Sequence, residues 1–177
     1  MIHGTAVVEN PSTIGCGTKV WHFVHIRKGA IIGKNCNIGK GAYIDTEVVI
    51  GNNVKIQNNV NIYDATIEDD VFLGPNMTFT NDLYPRASFW DRSQVQRTLV
   101  RRGASIGANA TILTGLVIGN YSLIGAGSVV TKDVPANSIF YGVPASLRGF
   151  VCECGTKLST IKEIRSSNQM KCMNCVL

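Results

Sequence analysis

Cys152-Glu153-Cys154-Gly155 and Cys172-Met173-Asn174-Cys175 place four of the chain's six cysteines in two short pairs near its C-terminal end. Thiol pairs of this kind, repeated after an interval, are the pattern with which two knuckles hold one tetrahedral zinc ion. The first pair is C-x-C, whereas the usual knuckle is C-x-x-C. So short a tail buries little apolar surface and needs a staple. Residues 150–177 are therefore predicted to form a small zinc-ribbon-like unit in which Cys152, Cys154, Cys172 and Cys175 bind Zn. The metal is structural, because four thiolates leave no coordination position open for catalysis.

A second chemical stretch runs from residue 80 to 105 and opens Thr80-Asn81-Asp82-Leu83-Tyr84-Pro85-Arg86. Arg86, Arg92, Arg97, Arg101 and Arg102 lie in it or beside it. Guanidinium forks match phosphate oxygens bidentately, so the cluster suits a phosphate-bearing small ligand. The histidines, the commonest general bases, are His3, His22 and His25, and all precede this stretch. A reaction centred on residues 80–105 must borrow a histidine from elsewhere or proceed without a side-chain base.

The elements that position these groups follow from a six-residue rhythm. Aliphatic residues recur at Ile2, Val8, Ile14, Val20, Ile26, Ile32, Ile38, Ile44, Ile50, Ile56 and Ile62. One residue is then dropped, Ile67, Leu73 and Phe79 follow, and after the loop come Ile106, Ile112, Ile118, Ile124 and Val130. A period of six fits neither a helix nor an ordinary amphipathic strand. It fits an all-β solenoid, in which each hexad is one short strand and a turn, and glycine or asparagine eases the turn backbone. Three faces close one coil, and coils stack at roughly 4.8 Å. Folding the repeat assigns Val20, Ile38, Ile56, Leu73, Ile112 and Val130 to face A. Face B takes Ile26, Ile44, Ile62, Phe79 and Ile118, and face C takes Ile32, Ile50, Ile67, Ile106 and Ile124. The loop leaves the corner between B and C. His25, Tyr43, Asn61 and Thr78 form an outward column beneath it, and Asp45, Glu47 and Asp64 share its corner.

This repeat resembles the hexapeptide-repeat acyltransferases over residues 1 to 149. The resemblance implies a left-handed parallel β-helix, acetyl-CoA as co-substrate, and a homotrimer with sites between subunits. Trp21-His22-Phe23-Val24-His25-Ile26, Lys55-Ile56-Gln57-Asn58-Asn59-Val60, Glu68-Asp69-Asp70-Val71-Phe72-Leu73-Gly74-Pro75 and Phe79-Thr80-Asn81 are similar to the nucleotide-linked 3-amino-sugar N-acetyltransferases. That similarity implies that Asn81 lies against the sugar amine, with His25 as a further active-site candidate. It also implies that Gly107, Ala108, Gly125 and Ala126, with Lys132 and Arg148, bind the coenzyme, near a G-x-P-A segment matched by Gly142-Val143-Pro144-Ala145. Asn59, Asn61, Tyr63, Asp82, Tyr84, Pro85 and Arg86 are candidates for binding the nucleotide-linked sugar. Arg97, Arg101 and Arg102 are candidates for its diphosphate or for the coenzyme phosphates.

The missing late histidine is chemically acceptable. A neutral amine attacks a thioester unaided, so positioning carries much of the rate. Asn81 can accept a hydrogen bond from the amine. The expected reaction is acetylation of the 3-amino group of a dTDP-3-amino-3,6-dideoxyhexose. UDP-2-acetamido-3-amino-2,3-dideoxyglucuronate and a 4-amino sugar are the alternative acceptors. A γ-type carbonic anhydrase needs three converging histidines, and a non-enzymatic scaffold would leave the polar loop without a role.

Composition bounds the rest. A chain of 177 residues with 45% apolar residues, 16% charge and a net charge of +5 is a globular domain with a small appendage. Few aromatics accompany the basic residues, which argues against nucleic-acid binding. Neither a signal-like N-terminus nor a membrane-length apolar run occurs, so a cytoplasmic protein is expected.

Overall fold

The computed structural model describes residues 1–89, 91–158, 172 and 175. Almost every hexad forms a strand of two residues, and each strand pairs in parallel with the strand one coil away. His25–Ile26 aligns with Tyr43–Ile44, which aligns with Asn61–Ile62, a coil of 18 residues. Three sheets result, and the chain is an all-β parallel solenoid. Its core is a stack of Ile26, Ile44, Ile62, Ile32, Ile50, Ile38 and Ile56, each no more than 1% exposed. Small or slender partners two residues earlier, among them Ala30, Cys36, Ala42 and Val60, fill the axis between them. Alternation of one inward residue with polar corners is what makes a two-residue strand worth forming: the strand is short, but its inward side chain is fully removed from water.

The structure corrects the assignment of columns after the loop. Val100 is fully buried and pairs with Ile67 on face C. Counting from Ile106 overlooked this position and shifted every later column by one face. Ile112 and Val130 belong to face B, Ile118 to face C, and Ile106 and Ile124 to face A. The loop accordingly spans residues 80–97 and not 80–105: Thr98 N donates to Asp64 O at 2.9 Å, and Ala65 aligns with Thr98. Its exit from the B/C corner is as expected, because Thr78–Phe79 lies on face B and Thr98–Val100 on face C. The dropped residue falls at this same corner one coil earlier, where Asp64 has a φ of 37°.

The recurring glycines are of two kinds, and only one answers to turn geometry. Left-handed backbone recurs at positions such as Gly41 (φ 69°), Asn59 (φ 57°) and Asn76 (φ 59°), where glycine or asparagine is favoured. Gly39 has no positive φ; a Cβ there would stand 2.6 Å from the carbonyl carbon of Gln57 in the next coil. Close stacking excludes a side chain at this position. Gly39→Ala is expected to cost about 1–3 kcal/mol, as overpacking does, and to lower the melting temperature by several degrees. Gly4→Ala, with nothing within 4 Å of its added Cβ, is the control. Equal melting of the two variants would refute the stacking argument.

After Val129–Val130 the chain forms the strand Ser138–Gly142 on face A, then turns back antiparallel as Ala145–Val151 and again as Lys157–Leu158. The expected boundary at residue 150 therefore falls inside a strand, and the start of the tail shares a sheet with the coil. Asn137 ties them further: its Nδ2 donates to Val151 O at 3.1 Å, and its carbonyl accepts from Val151 N at 2.8 Å. Among the described residues no helix is long and apolar enough to cross a membrane.

Candidate active site

Two columns climb the B/C edge towards the loop. The first is the expected His25, Tyr43, Asn61 and Thr78, aligned residue to residue. The second joins the expected Asp45 and Tyr63 to Glu9 and Arg27, which sequence reasoning missed, each one residue after a face B strand. Their 18-residue spacing was the signal that could have found them. Glu9 Oε1 lies 2.8 Å from His25 Nε2 and 2.8 Å from Arg27 Nε. Arg27 Nη1 donates to Tyr43 Oη at 3.0 Å, and Tyr43 Oη donates to Asp45 Oδ1 at 3.1 Å. The Tyr43 ring meets His25 edge-on at 5.6 Å and the Tyr63 ring at 5.2 Å. These bonds make a rigid ledge under the loop.

Electrostatics follow from this packing. The hydrogen bond from His25, aided by Arg27 and the Lys28 N–H, holds the Glu9 carboxyl at about 2. A folded-state pKa below the unfolded value stabilises the fold above the unfolded pKa, near 4.3. That contribution is lost as pH falls from there towards about 2. Glu9→Gln is expected to flatten the pH dependence of unfolding between about pH 4 and 2, as followed by circular dichroism; an unchanged acid limb would refute the assignment. Burial pushes the Asp64 carboxyl up, and nearby Asp45 adds to this.

The loop starts with Thr80 N bonded to Ile112 O at 2.9 Å, while Thr80 Oγ1 is buried without a partner. Asn81 follows, half-buried, at the top of the ledge. Asp82 Oδ1 accepts from Tyr84 N at 2.8 Å, which turns the chain outward. Tyr84, Pro85 and Arg86 are exposed, and Arg86 Nη1 donates to Pro85 O at 2.9 Å. Further along, Asp91 caps one turn of 3-10 helix over Arg92–Gln94.

The structure separates several groups that the sequence put together. His25 lies three inter-strand steps below Thr78, ~14 Å at the usual spacing, so within one chain His25 and Asn81 cannot touch the same amine. Arg101 and Arg102 sit at the C/A corner, paired with Glu68 at 2.8 Å and Asp69 at 2.9 Å. Arg97 donates to Glu47 O at 3.0 Å, and Arg92 faces the Glu47 carboxylate at 3.6 Å. Among the described residues Arg86 is the cluster member with only a backbone partner. Gln57, Asn58 and Asn59 occupy the A/B corner as a turn ladder: Asn58 Oδ1 accepts from Lys40 N at 2.9 Å, and Asn59 Nδ2 donates to Asn76 Oδ1 at 3.2 Å. Asn61 remains on the ledge, its Nδ2 3.5 Å from Thr78 Oγ1.

Of the proposed coenzyme residues, Gly107, Ala108, Gly125 and Ala126 are brought together at the A/B corner of adjacent late coils. A Cβ on Gly107 would stand 2.5 Å from Ala126 N, and one on Gly125 would stand 2.6 Å from Tyr141 Cβ. The Arg148 guanidinium lies 5.4 Å from the Tyr141 ring centre, over the same corner. Gly142 and Ala145 face each other across the hairpin turn beside it. Lys132 is exposed at the opposite B/C corner, following Val129–Val130. These small residues line one edge of the coil, where Gly107 and Gly125 stack closely on the neighbouring coil.

The four tail cysteines converge. Their sulfurs all lie within 4.8 Å of one another, with Cys152–Cys175 at 3.7 Å, Cys154–Cys172 at 3.5 Å and Cys172–Cys175 at 3.6 Å. A regular tetrahedron with Zn–S bonds of ~2.3 Å has sulfur edges of ~3.8 Å, so the donor set fits a tetrathiolate ion. Cys172 N donates to Cys152 Sγ at 3.1 Å, an outer hydrogen bond of the kind that orients metal ligands. Residues 159–171 between the knuckles lie outside the described residues. The three histidines do not make a comparable group: His3 stacks on His22 at 3.5 Å, while His25 is committed to Glu9.

The family model for the bacterial transferase hexapeptide (six repeats) matches residues 11–46 and 97–132, and that for the hexapeptide repeat of succinyl-transferase matches 29–64. A relative in Aneurinibacillus thermoaerophilus, a dTDP-3-amino-3,6-dideoxy-alpha-D-galactopyranose 3-N-acetyltransferase, is 48% identical over 160 residues, covering 90% of this chain and 83% of its own. The chain belongs to the hexapeptide-repeat transferases. A solved maltose O-acetyltransferase of Clostridium difficile 630 is 28% identical with a TM-score of 0.61, each chain being 69% covered. A hexapeptide transferase family protein of Anaplasma phagocytophilum shares the fold, with a TM-score of 0.59 at 19% identity over 90% of this chain and 82% of its own. The second stretch of the six-repeat match begins at residue 97, where the hexapeptide coil resumes after the loop.

Proposed function

We propose that this hexapeptide-repeat transferase moves the acetyl group of acetyl-CoA to the 3-amino group of a dTDP-3-amino-3,6-dideoxyhexose. The observation that carries this reading is the likeness to the Aneurinibacillus enzyme, over a span long enough to include the whole loop with Asn81. Asn81 accepts a hydrogen bond from the neutral amine and aims its lone pair at the thioester carbonyl carbon. The C–N bond forms and the C–S bond breaks, and the departing thiolate takes the proton that the new amide sheds. The attack itself requires no side-chain base. Asn61 and Tyr63 on the ledge, with Asp82, Tyr84, Pro85 and Arg86 of the loop, contact the nucleotide-linked sugar, and Arg86 supplies the cation for its phosphates. The edge lined by Gly107, Ala108, Gly125 and Ala126, ending at Arg148, takes the coenzyme. His25 is a positioned ledge residue in its own chain, and Lys132 meets the coenzyme only through a neighbouring subunit. The working form is a cytoplasmic homotrimer with sites between subunits. The tail cysteines hold one structural zinc ion.

A coenzyme A release assay across a panel of dTDP- and UDP-linked 3-amino and 4-amino sugars tests the reading. Turnover should be greatest with the dTDP-3-amino-3,6-dideoxyhexoses. Absence of thiol release with every 3-amino sugar would overturn it.

A further inference from the structure

Immediately after Asn81 the loop borders an open-sided cavity of about 240 Å³ lined by Asp82, Leu83, Tyr84, Gln94 and Gln96. Both glutamines come from the returning limb of the loop. Gln96 is held in place: its side chain fills the space that a Cβ on Gly115 would need, and its carbonyl accepts the Thr114 hydroxyl. Gln94 is tethered through Nε2 to Asp91 Oδ2 at 3.3 Å, which leaves its amide oxygen free. Among the described residues the Gln96 amide makes no side-chain hydrogen bond. Two amides offer donors and acceptors suited to hydroxyl groups, and Leu83 and Tyr84 supply apolar surface beside them.

We infer that this cavity is the acceptor-sugar pocket, in which Gln94 and Gln96 hold ring hydroxyls and Leu83 packs against the methyl carbon at C6 of a 6-deoxyhexose. The inference rests on the proposed function and goes beyond it by naming what reads the sugar ring. Three features carry it. Asp82 lines the cavity and is the chain neighbour of Asn81, which puts the cavity one residue along the chain from Asn81. The volume is of the size of one sugar ring and smaller than a nucleotide. Its lining mixes neutral hydrogen-bonding amides with one aliphatic and one aromatic side chain, the combination that suits a ring with hydroxyls on one edge and a methyl group on another. The single acid, Asp82, is already turned inward on the Tyr84 N–H.

The test compares steady-state acetylation of dTDP-3-amino-3,6-dideoxyhexose with that of its 6-hydroxy counterpart. Wild-type protein should favour the 6-deoxy acceptor in kcat/KM by about tenfold, the lower end for a methyl group in an apolar pocket. Leu83→Ser should remove most of that preference, and Leu83→Met should keep it. Gln96→Ala should raise the acceptor KM by about tenfold, as loss of a hydrogen-bond partner does, with the KM for acetyl-CoA unchanged. Leu83 is half-exposed on the loop, and unaltered melting temperatures confirm that the variants fold. A retained 6-deoxy preference in Leu83→Ser, or an unchanged acceptor KM in Gln96→Ala, overturns the pocket while leaving the proposed function standing. Failure of the wild-type chain to acetylate either sugar overturns the function itself.

Discussion

Asn81→Ala is expected to lower kcat for sugar-amine acetylation by about a hundredfold, the penalty of a reacting group misplaced by about an ångström, with the KM for acetyl-CoA unchanged. The position explains the size. Asn81 stands at the single point where the coil is interrupted, on the ledge built by His25, Tyr43, Asn61 and Thr78. It is anchored from the following coil by the Thr80 N–H on Ile112 O. No histidine occurs in the loop or after it, so no second group replaces the lost alignment. Asn81→Asp separates alignment from acid–base chemistry: a carboxylate also accepts from the amine but stabilises its protonated form. Its activity should recover towards higher pH, whereas Asn81→Ala should stay low at every pH. A wild-type rate in Asn81→Ala would end the positioning mechanism.

The tail carries the second large effect. Purified protein should contain one zinc per chain by atomic emission, and Cys172→Ser should bring it close to zero. Structural zinc contributes on the order of 10–16 kcal/mol to small folded peptides, far more than the little apolar surface around Cys152, Leu158, Cys172 and Phe150 can supply. Amide hydrogen exchange is expected to accelerate at Val151, Cys152 and Lys157–Leu158 in the variant, while the buried isoleucine strands of the coil keep their protection. The coil holds its own core of inward side chains, so its melting should move little. Full protection of the tail in a metal-free variant would show that its order does not come from zinc.

The period of six was legible from Ile2 to Phe79 because a large apolar side chain recurs at each sixth position, with one residue dropped after Ile62. A coil of this kind repeats its environment, so one hexad predicts the next. The cysteine pairs were legible for a similar reason: their spacing carries the tetrahedral geometry. The first inward position after the break, Val100, is disguised because it stands beside Leu99, after Gln96-Arg97-Thr98 and before two arginines. Arg97, Arg101 and Arg102 looked free for phosphate because their partners, the Thr66 hydroxyl and Glu47 carbonyl for Arg97 and the Glu68 and Asp69 carboxylates for the other two, lie more than thirty residues away in the chain.

By itself the sequence determined the coil, the corner from which the loop leaves, the column beneath it and the four cysteines that converge, since each depends on spacing along the chain. Tertiary structure alone decided where the loop ends and which arginines are already paired. It also brought Leu83, Gln94 and Gln96 around one cavity beside Asn81. Those outcomes depend on how an irregular loop folds back and on contacts between successive coils, and no local period records either.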